Sequence, residues 1–296
     1  MGKMRKITIF DILNYTWFAL FTLVCFFPFY YLLINTISNN DLSSRGLIMF
    51  YPRGLHINNY IDVFRIPGLG TAALVSIGRT VIGTLLTVAA SGFLGYLFTK
   101  NAMWGRKFWY RFLIVTMYFN AGLIPWYLIM LKLGLVNNFL AYVIPGIVAP
   151  FNIILVKTFI ESTPIALQES AQIDGAGFFT IFLKIVMPLI TPILATIAIF
   201  SAIGQWNSFQ DTLFLITNSK LFTLQFLLYR YLNEATSLAT LMKSTGGAIN
   251  ADLTNMQTAT SIRTTVSMVV VIPILLVYPF FQRYFVKGIL IGAVKG

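Results

Sequence analysis

Charged residues are spaced so widely that six stretches of the chain carry none: 12–40, 80–99, 112–131, 133–156, 185–210 and 264–282, each 19 to 29 residues long. A helix of roughly 20 apolar residues crosses the hydrocarbon core of a bilayer. The pattern therefore predicts six transmembrane helices, near 12–37, 71–98, 112–131, 139–159, 185–209 and 264–282. The alternating segments of a membrane β-barrel are absent, and helices are then the way to satisfy the backbone in lipid. The expected fold class is an all-α integral membrane protein, a single domain over 1–296. The first apolar run is longer than a signal-peptide core, and no small-residue cleavage pattern follows Pro28-Phe29-Tyr30-Tyr31, so it reads as a retained span. Pro28, Pro125, Pro145, Pro192 and Pro273 fall within spans, where each removes a backbone hydrogen bond and favours a kink.

The polar connections carry their own pattern. Between spans four and five, residues 161–188 hold three of the nine acidic residues: Glu161, Glu169 and Asp174. Thr163-Pro164 reads as a helix start, a hydroxyl N-cap followed by proline where no amide is needed. A short helix is expected over 164–173, ended by Asp174-Gly175, with a second helix over 178–187 leading into span five. The small residues Ala166, Ser170 and Ala171 let a partner approach closely, while Glu169 and Asp174 offer charge and hydrogen-bond acceptors. Such a polar helical loop between two spans is a docking surface for something in water. Longer loops follow spans one and five. In the second of these, residues 221–231 predict an amphipathic helix at the membrane interface, and Gly246-Gly247 breaks the pattern before the last span.

Charged types make up 10% of the chain and apolar types 57%, which removes a soluble domain from consideration. The net charge of +12 suits a membrane better than a nucleic acid. With the amino terminus in the cytoplasm, the inner segments 1–11, 99–111, 157–184 and 283–296 hold twelve Lys or Arg in 66 residues. The outer segments 38–71, 131–138 and 211–263 hold eight in 95. The inner excess obeys the positive-inside rule and places both termini and the 161–188 loop in the cytoplasm.

Little catalytic chemistry is available. Cys25 is the only cysteine and His56 the only histidine, so neither a disulfide, a thiolate metal site nor a His-centred catalytic constellation can be built within the chain. No G-x-x-x-x-G-K-[ST] run occurs, so the chain does not cradle nucleotide itself. No catalytic residues, metal ligands or cofactors are assigned. The informative residues are polar ones inside spans, because lipid burial is costly for them: Arg79, Asn120, Tyr127, Asn152, Gln205, Trp206 and Asn207. Amides bind sugar hydroxyls and aromatic faces stack on sugar rings, so these seven are the candidate substrate pathway. Arg79 carries either of two roles, attraction of a uronate carboxylate or hydrogen bonding to a neighbouring helix. An ion-coupled secondary sugar transporter is the alternative class. It calls for intramembrane carboxylates, whereas all nine acids here fall in loops or at span edges.

The spacing Glu169-Ser170-Ala171, Gly175, then Ile185-x-Met187-Pro188 resembles the EAA loop of permease subunits of ABC importers. Residues 122–128 and 133–138, Gln205-Trp206-Asn207-Ser208-Phe209, the opening Asp11-Ile12-Leu13-Asn14 and the closing Tyr284-Phe285-Val286-Lys287-Gly288 are similar to maltose-type carbohydrate permeases, in a branch serving polysaccharide-derived, including pectic, oligosaccharides. Where that family usually has a proline after the fifth-span motif, this chain has Thr212, which leaves the local backbone open. The resemblance implies a type I ABC importer permease fold with a cytoplasmic coupling helix, in which Ala166, Glu169, Ser170, Ala171, Asp174 and Gly175 meet a separate ATPase. It further implies a second homologous permease, two ATPase subunits that bind ATP and Mg, and an extracellular solute-binding lipoprotein. The setting is the bacterial cytoplasmic membrane. In such families the basic tail 282–296 reaches between the ATPase subunits, and contact with anionic lipid is its rival role.

Overall fold

The computed structural model describes residues 8–233 and 260–276. Among these residues the regular structure is entirely helical. The chain divides into two compact units, residues 1–66 with 230–272 and residues 67–229 with 273–296. Gly246-Gly247, the basic tail and the ends of the chain lie outside the described residues.

In the first unit, α1 (Ile9–Thr36) opens on a capping box. The Thr8 hydroxyl accepts from the Asp11 N–H at 3.3 Å, and the Asp11 carboxylate accepts from the Thr8 N–H at 2.9 Å. Most of α1 is exposed, with Phe10, Trp17 and Phe21 standing outward, as suits a helix whose surroundings are apolar. Its carboxyl end meets a buried polar hub. Asn59 Nδ2 donates to Thr36 O and Asn40 Oδ1, both at 2.9 Å, and Ser43 Oγ donates to Asn35 Oδ1 at 2.7 Å. Short helices α2 (Asn40–Ser44) and α3 (Asn58–Phe64) are thereby tied to the end of α1. Each buried polar group needs such a partner, because a lost one costs about 1–3 kcal/mol.

The second unit is built on α4 (Leu69–Leu97), which packs against α7 (Pro150–Glu161) and the helix Thr191–Asn207, here α10. Glycines allow the close approach. A Cβ placed on Gly95 would fall 2.6 Å from Val156 Cγ1, and one on Gly83 would fall 2.7 Å from Gln205 Nε2. Small residues at such crossings are the usual means of bringing apolar helices together where no hydrophobic force separates them from lipid.

Among the described residues two helices, α1 and α4, are long and apolar enough to cross a membrane unbroken, or up to four if each of two bent pairs is one span. Three expected spans are not continuous helices. The stretch 112–131 divides into α5 (Arg106–Tyr118) and α6 (Leu123–Lys132), because Phe119 is extended, Gly122 has φ +86°, and Asn120 Oδ1 accepts the Gly122 N–H at 2.9 Å. The fourth starts as 3-10 turns at Phe139–Tyr142 and Ile144–Gly146 before α7, a bend of 43° with Pro145 and Pro150 beside it. The fifth bends by 78° at Ile190, between Pro188 and Pro192, where proline removes a helix donor. Of the expected sixth, 264–282, the described part falls in the shorter apolar helix Thr260–Leu276, and 277–282 lie outside the described residues.

Residues 224–233 form the helix expected near 221–231, but its apolar side is not laid on an interface: Leu224, Phe226, Leu227 and Leu228 are buried, and the Leu224 N–H donates to Ser76 Oγ at 2.8 Å. Nearby, Asn137 is the one described residue other than glycine with positive φ, at 56°. Its Oδ1 accepts from the Thr217 and Asn218 amides at 2.6 and 3.0 Å, which ties the loop after α6 to 217–218. Asn137→Ala adds left-handed strain of about 1–2 kcal/mol to the loss of those bonds, each about 1 kcal/mol. Asn137→Gly loses only the bonds. Thermal unfolding of the purified protein in detergent should therefore rank parent above Gly above Ala, and equal behaviour of the two variants would exclude backbone strain at this position.

Candidate functional site

A cavity of about 420 Å³ opens beside α4 and α10. Arg79, Trp126, Tyr142, Asn152, Gln205, Ser208 and Asp211 are among its lining residues. Arg79 is 2% exposed and lies in the middle of α4. Its guanidinium donates from Nε to Gln205 Oε1 at 3.2 Å, from Nη2 to Gln205 Oε1 at 3.1 Å and to Asp211 Oδ2, and from Nη1 to Ser208 O at 3.2 Å and Asp211 Oδ1 at 3.1 Å. Its Cζ lies 4.5 Å from the centre of the Tyr142 ring. This is a bidentate carboxylate pair with an aromatic partner, the geometry for which arginine is suited and lysine is not.

Asp211 is placed by a break in the chain. Helix α10 ends at Asn207, Ser208 is extended, and the short helix Gln210–Leu215 (α11) then begins. Thr212, next to Asp211, is fully buried; its hydroxyl donates to Tyr142 Oη at 3.1 Å and lies 3.2 Å from Thr223 Oγ1, while its N–H donates to Asp211 Oδ1 at 2.9 Å. Proline at this position could make neither the hydroxyl bonds nor the amide bond. Tyr142 Oη donates in turn to Leu221 O at 2.6 Å. The wall of the cavity is thus one continuous polar network from α4 to the segment after α11.

The 161–188 loop forms the second candidate surface. Helix α8 (Ala166–Ile173) starts later than expected and has no side-chain cap: Thr163 Oγ1 instead donates back to Ile160 O at 2.7 Å, closing α7. The end is as expected. Gly175 has φ +78°, its N–H donates to Gln172 O, and the Ala176 N–H donates to Ala171 O, completing a Schellman turn. Helix α9 (Phe178–Leu189) follows, with Phe182–Val186 wound as a π-helix.

One side of α8 is anchored. Ala171 joins a buried cluster with Tyr96, Val156, Ile160, Ile181 and Phe182. Gln168 is also buried, and its Oε1 accepts from Lys100 Nζ at 2.6 Å; that ammonium sits 4.4 Å from the centre of the Tyr96 ring. Burial lowers the Lys100 pKa below the usual lysine value. The other side is open: Ile165, Leu167 and Ile173 are exposed large apolar residues, beside exposed Ala166, Glu169, Ser170, Asp174 and Gly175.

No family model matches the chain, but individual relatives do. It is 32% identical over 292 residues to the polygalacturonan/rhamnogalacturonan transport system permease protein YtcP of Bacillus subtilis, covering 98% of this chain and 100% of that one. The chain belongs to the permease subunits of carbohydrate ABC transporters. The arabinooligosaccharides transport system permease protein AraQ of Halalkalibacterium halodurans is 29% identical, with 94% of each chain covered. A crystal structure of a bacterial ABC transporter involved in the import of the acidic polysaccharide alginate holds a chain 28% identical to this permease, with a TM-score of 0.81 over 96% of this chain and 99% of that one. The permease is accordingly a non-catalytic membrane component.

Of the seven pathway residues, the permease brings Arg79, Asn152 and Gln205 to the cavity. Asn120 lines a second cavity of about 500 Å³ beside α6, which shares Trp126 and Ala149 with the first. Tyr127 is half-buried against the cluster of Met130, Leu135 and Tyr142. Trp206 is half-buried and Asn207 is exposed, its Nδ2 donating to Ile203 O at 3.0 Å; neither is among the lining residues. Asp211, Tyr142, Ser208 and Trp126 were not among the expected pathway residues, although Ser208 and Trp126 fall in the segments similar to the carbohydrate permeases. Asp211 offered one signal: it is the acid that ends the uncharged run 185–210.

Proposed function

We propose that this permease conducts an oligosaccharide across the bacterial cytoplasmic membrane by alternating access, driven by ATP hydrolysis in separate ATPase subunits docked on the 161–188 loop. The observation that carries this reading is α8 itself, anchored through Ala171 and Gln168 while it presents Ile165, Leu167, Glu169 and Ile173 outward. A helix held on one side and bare on the other passes a push into α9 and the span beyond it. The Lys and Arg bias supports six spans, cytoplasmic termini and a cytoplasmic position for this loop. The partners are a second homologous permease, two ATPase subunits carrying ATP and Mg, and an extracellular solute-binding lipoprotein. The names of the relatives make a polysaccharide-derived, pectic oligosaccharide the first substrate to try.

Gly175→Asp tests the coupling. The sequence alone suggests that a side chain would fill this turn, yet nothing lies within 4 Å of a Cβ built there. The damage comes instead mainly from an extra carboxylate on the exposed side of the loop, with a smaller part from φ +78°, a conformation that Asp tolerates better than most L-residues. The variant should remain in the membrane but lose at least about tenfold in sugar transported per ATP hydrolysed, a coupling loss of about 1.4 kcal/mol. Affinity purification of the tagged permease from native membranes, followed by ATPase and uptake assays in proteoliposomes, measures both quantities. A permease that purifies alone and moves sugar without ATP would sink the reading.

A further inference from the structure

The relatives named for polygalacturonan/rhamnogalacturonan and alginate invite the idea that Arg79 receives a uronate. The geometry points elsewhere: we infer that Arg79 is a positioning residue, its charge cancelled by Asp211, and that the cavity takes an uncharged, hydroxyl-bearing stretch of the oligosaccharide read by Gln205 and Asn152. The inference rests on the sugar-permease reading above.

A guanidinium has five N–H donors. Those of Arg79 meet five acceptor contacts, two on Asp211, two on Gln205 Oε1 and one on Ser208 O, and Tyr142 lies against the group. No donor is left for a ligand carboxylate. An incoming uronate would have to replace Asp211 on the same atoms, exchanging one carboxylate for another and leaving Asp211 unpaired. No other Lys, Arg or His is among the residues that line the cavity.

What remains available is neutral. Gln205 Oε1 is held by two bonds from Arg79, so the carboxamide is fixed, with its Nε2 seated where a Cβ on Gly83 or Gly146 would come within 2.7 or 3.4 Å. Among the described residues neither Gln205 Nε2 nor the Asn152 carboxamide makes a side-chain hydrogen bond. Two amides offering donors and acceptors, with the Trp126 ring on the same wall, fit hydroxyls and the C–H face of a sugar ring. The cavity volume is that of a small-molecule site.

The probes are trigalacturonate and its fully methyl-esterified form, which share their rings and differ in charge. Uptake of each is measured with the complete transporter, and the acid-to-ester ratio is compared with the parent's, so that the preference of the binding protein cancels. Arg79→Gln uncovers the Asp211 carboxylate on the cavity wall and should lower both uptakes, the acid's more, so that the ratio falls about fivefold. Asp211→Asn uncovers the Arg79 charge and should raise the ratio about fivefold or more, the scale of one partly screened charge. The double variant Arg79→Gln/Asp211→Asn carries neither charge and should return to the parental ratio, which a purely structural pair would never have moved. A ratio that stays low in the double variant, as it would if Arg79 itself received the uronate, or an unmoved ratio in Asp211→Asn, overturns the inference. If the parent imports neither probe with ATP, the pectic reading fails and takes this one with it; failure confined to the variants sinks this one alone.

Discussion

Replacing Arg79 by Met is expected to cost about 3–5 kcal/mol, because it strands the Asp211 carboxylate inside the protein. That side chain is only 16% exposed, and Arg79 provides two of its three hydrogen bonds, the Thr212 N–H giving the third. The cost reflects breaking one half of a buried pair rather than the net worth of the pair, since removing both charges lifts most of the penalty. Arg79→Met/Asp211→Leu should therefore be more stable than Arg79→Met alone. Gln205 would lose two bonds in either case, so the double variant should still transport poorly. Scanning fluorimetry of the purified transporter in detergent gives the ranking: parent, then double, then Arg79→Met. A double variant no more stable than the single one would mean that the network around Ser208, Gln205 and Tyr142, rather than charge balance, sets the stability here.

The second large effect is steric. Gly95→Ala puts a methyl 2.6 Å from Val156 Cγ1, 2.7 Å from Val156 Cβ and 3.2 Å from the Lys157 nitrogen. Val156 is fully buried in α7, and a β-branched side chain in a helix has one strongly preferred rotamer, so it cannot swing aside. The helices must part, at about 1–3 kcal/mol or more. The displacement falls beside Tyr96, whose ring lies 4.8 Å from Phe178 and 5.2 Å from Phe182, so the anchor of the 161–188 loop shifts too. Lower melting temperature and weaker retention of the ATPase on the purified permease are the expected results. Adding Val156→Ala removes Cγ1 but leaves Cβ, so recovery should be partial. Full stability in Gly95→Ala would show that α4 and α7 separate at no cost.

Membrane class was legible from the spacing of charges, since a bilayer asks only that about twenty residues in a row be apolar and helical. The 161–188 loop was legible for a similar reason. Its polarity stands out between apolar runs, and Gly175 marks a turn that local backbone sterics require, whatever surrounds it. Local rules failed where a competing partner lay nearby. Thr163 had the sequence of an N-cap, but the Ile160 carbonyl at the end of α7 took its hydroxyl. The break at 119–122 and the bend at Ile190 were likewise hidden, because hydropathy records what a residue prefers to touch and not the path of its backbone.

The cavity belongs to the tertiary structure. Arg79 was visible as the charge inside a span, but its role turned on Asp211, 132 residues away, which the sequence placed at a span edge. Thr212 stood out only as a departure from the proline usual there, and nothing marked Tyr142, until the fold joined them to Thr223 and Leu221. The sequence by itself thus determined the membrane class and the helical character of the chain, because a long apolar run answers to solvent alone. Which buried polar groups satisfy one another was decided only by the packing of α4, α10 and α11, because a hydrogen bond needs two partners within about 3 Å and the sequence holds no distances.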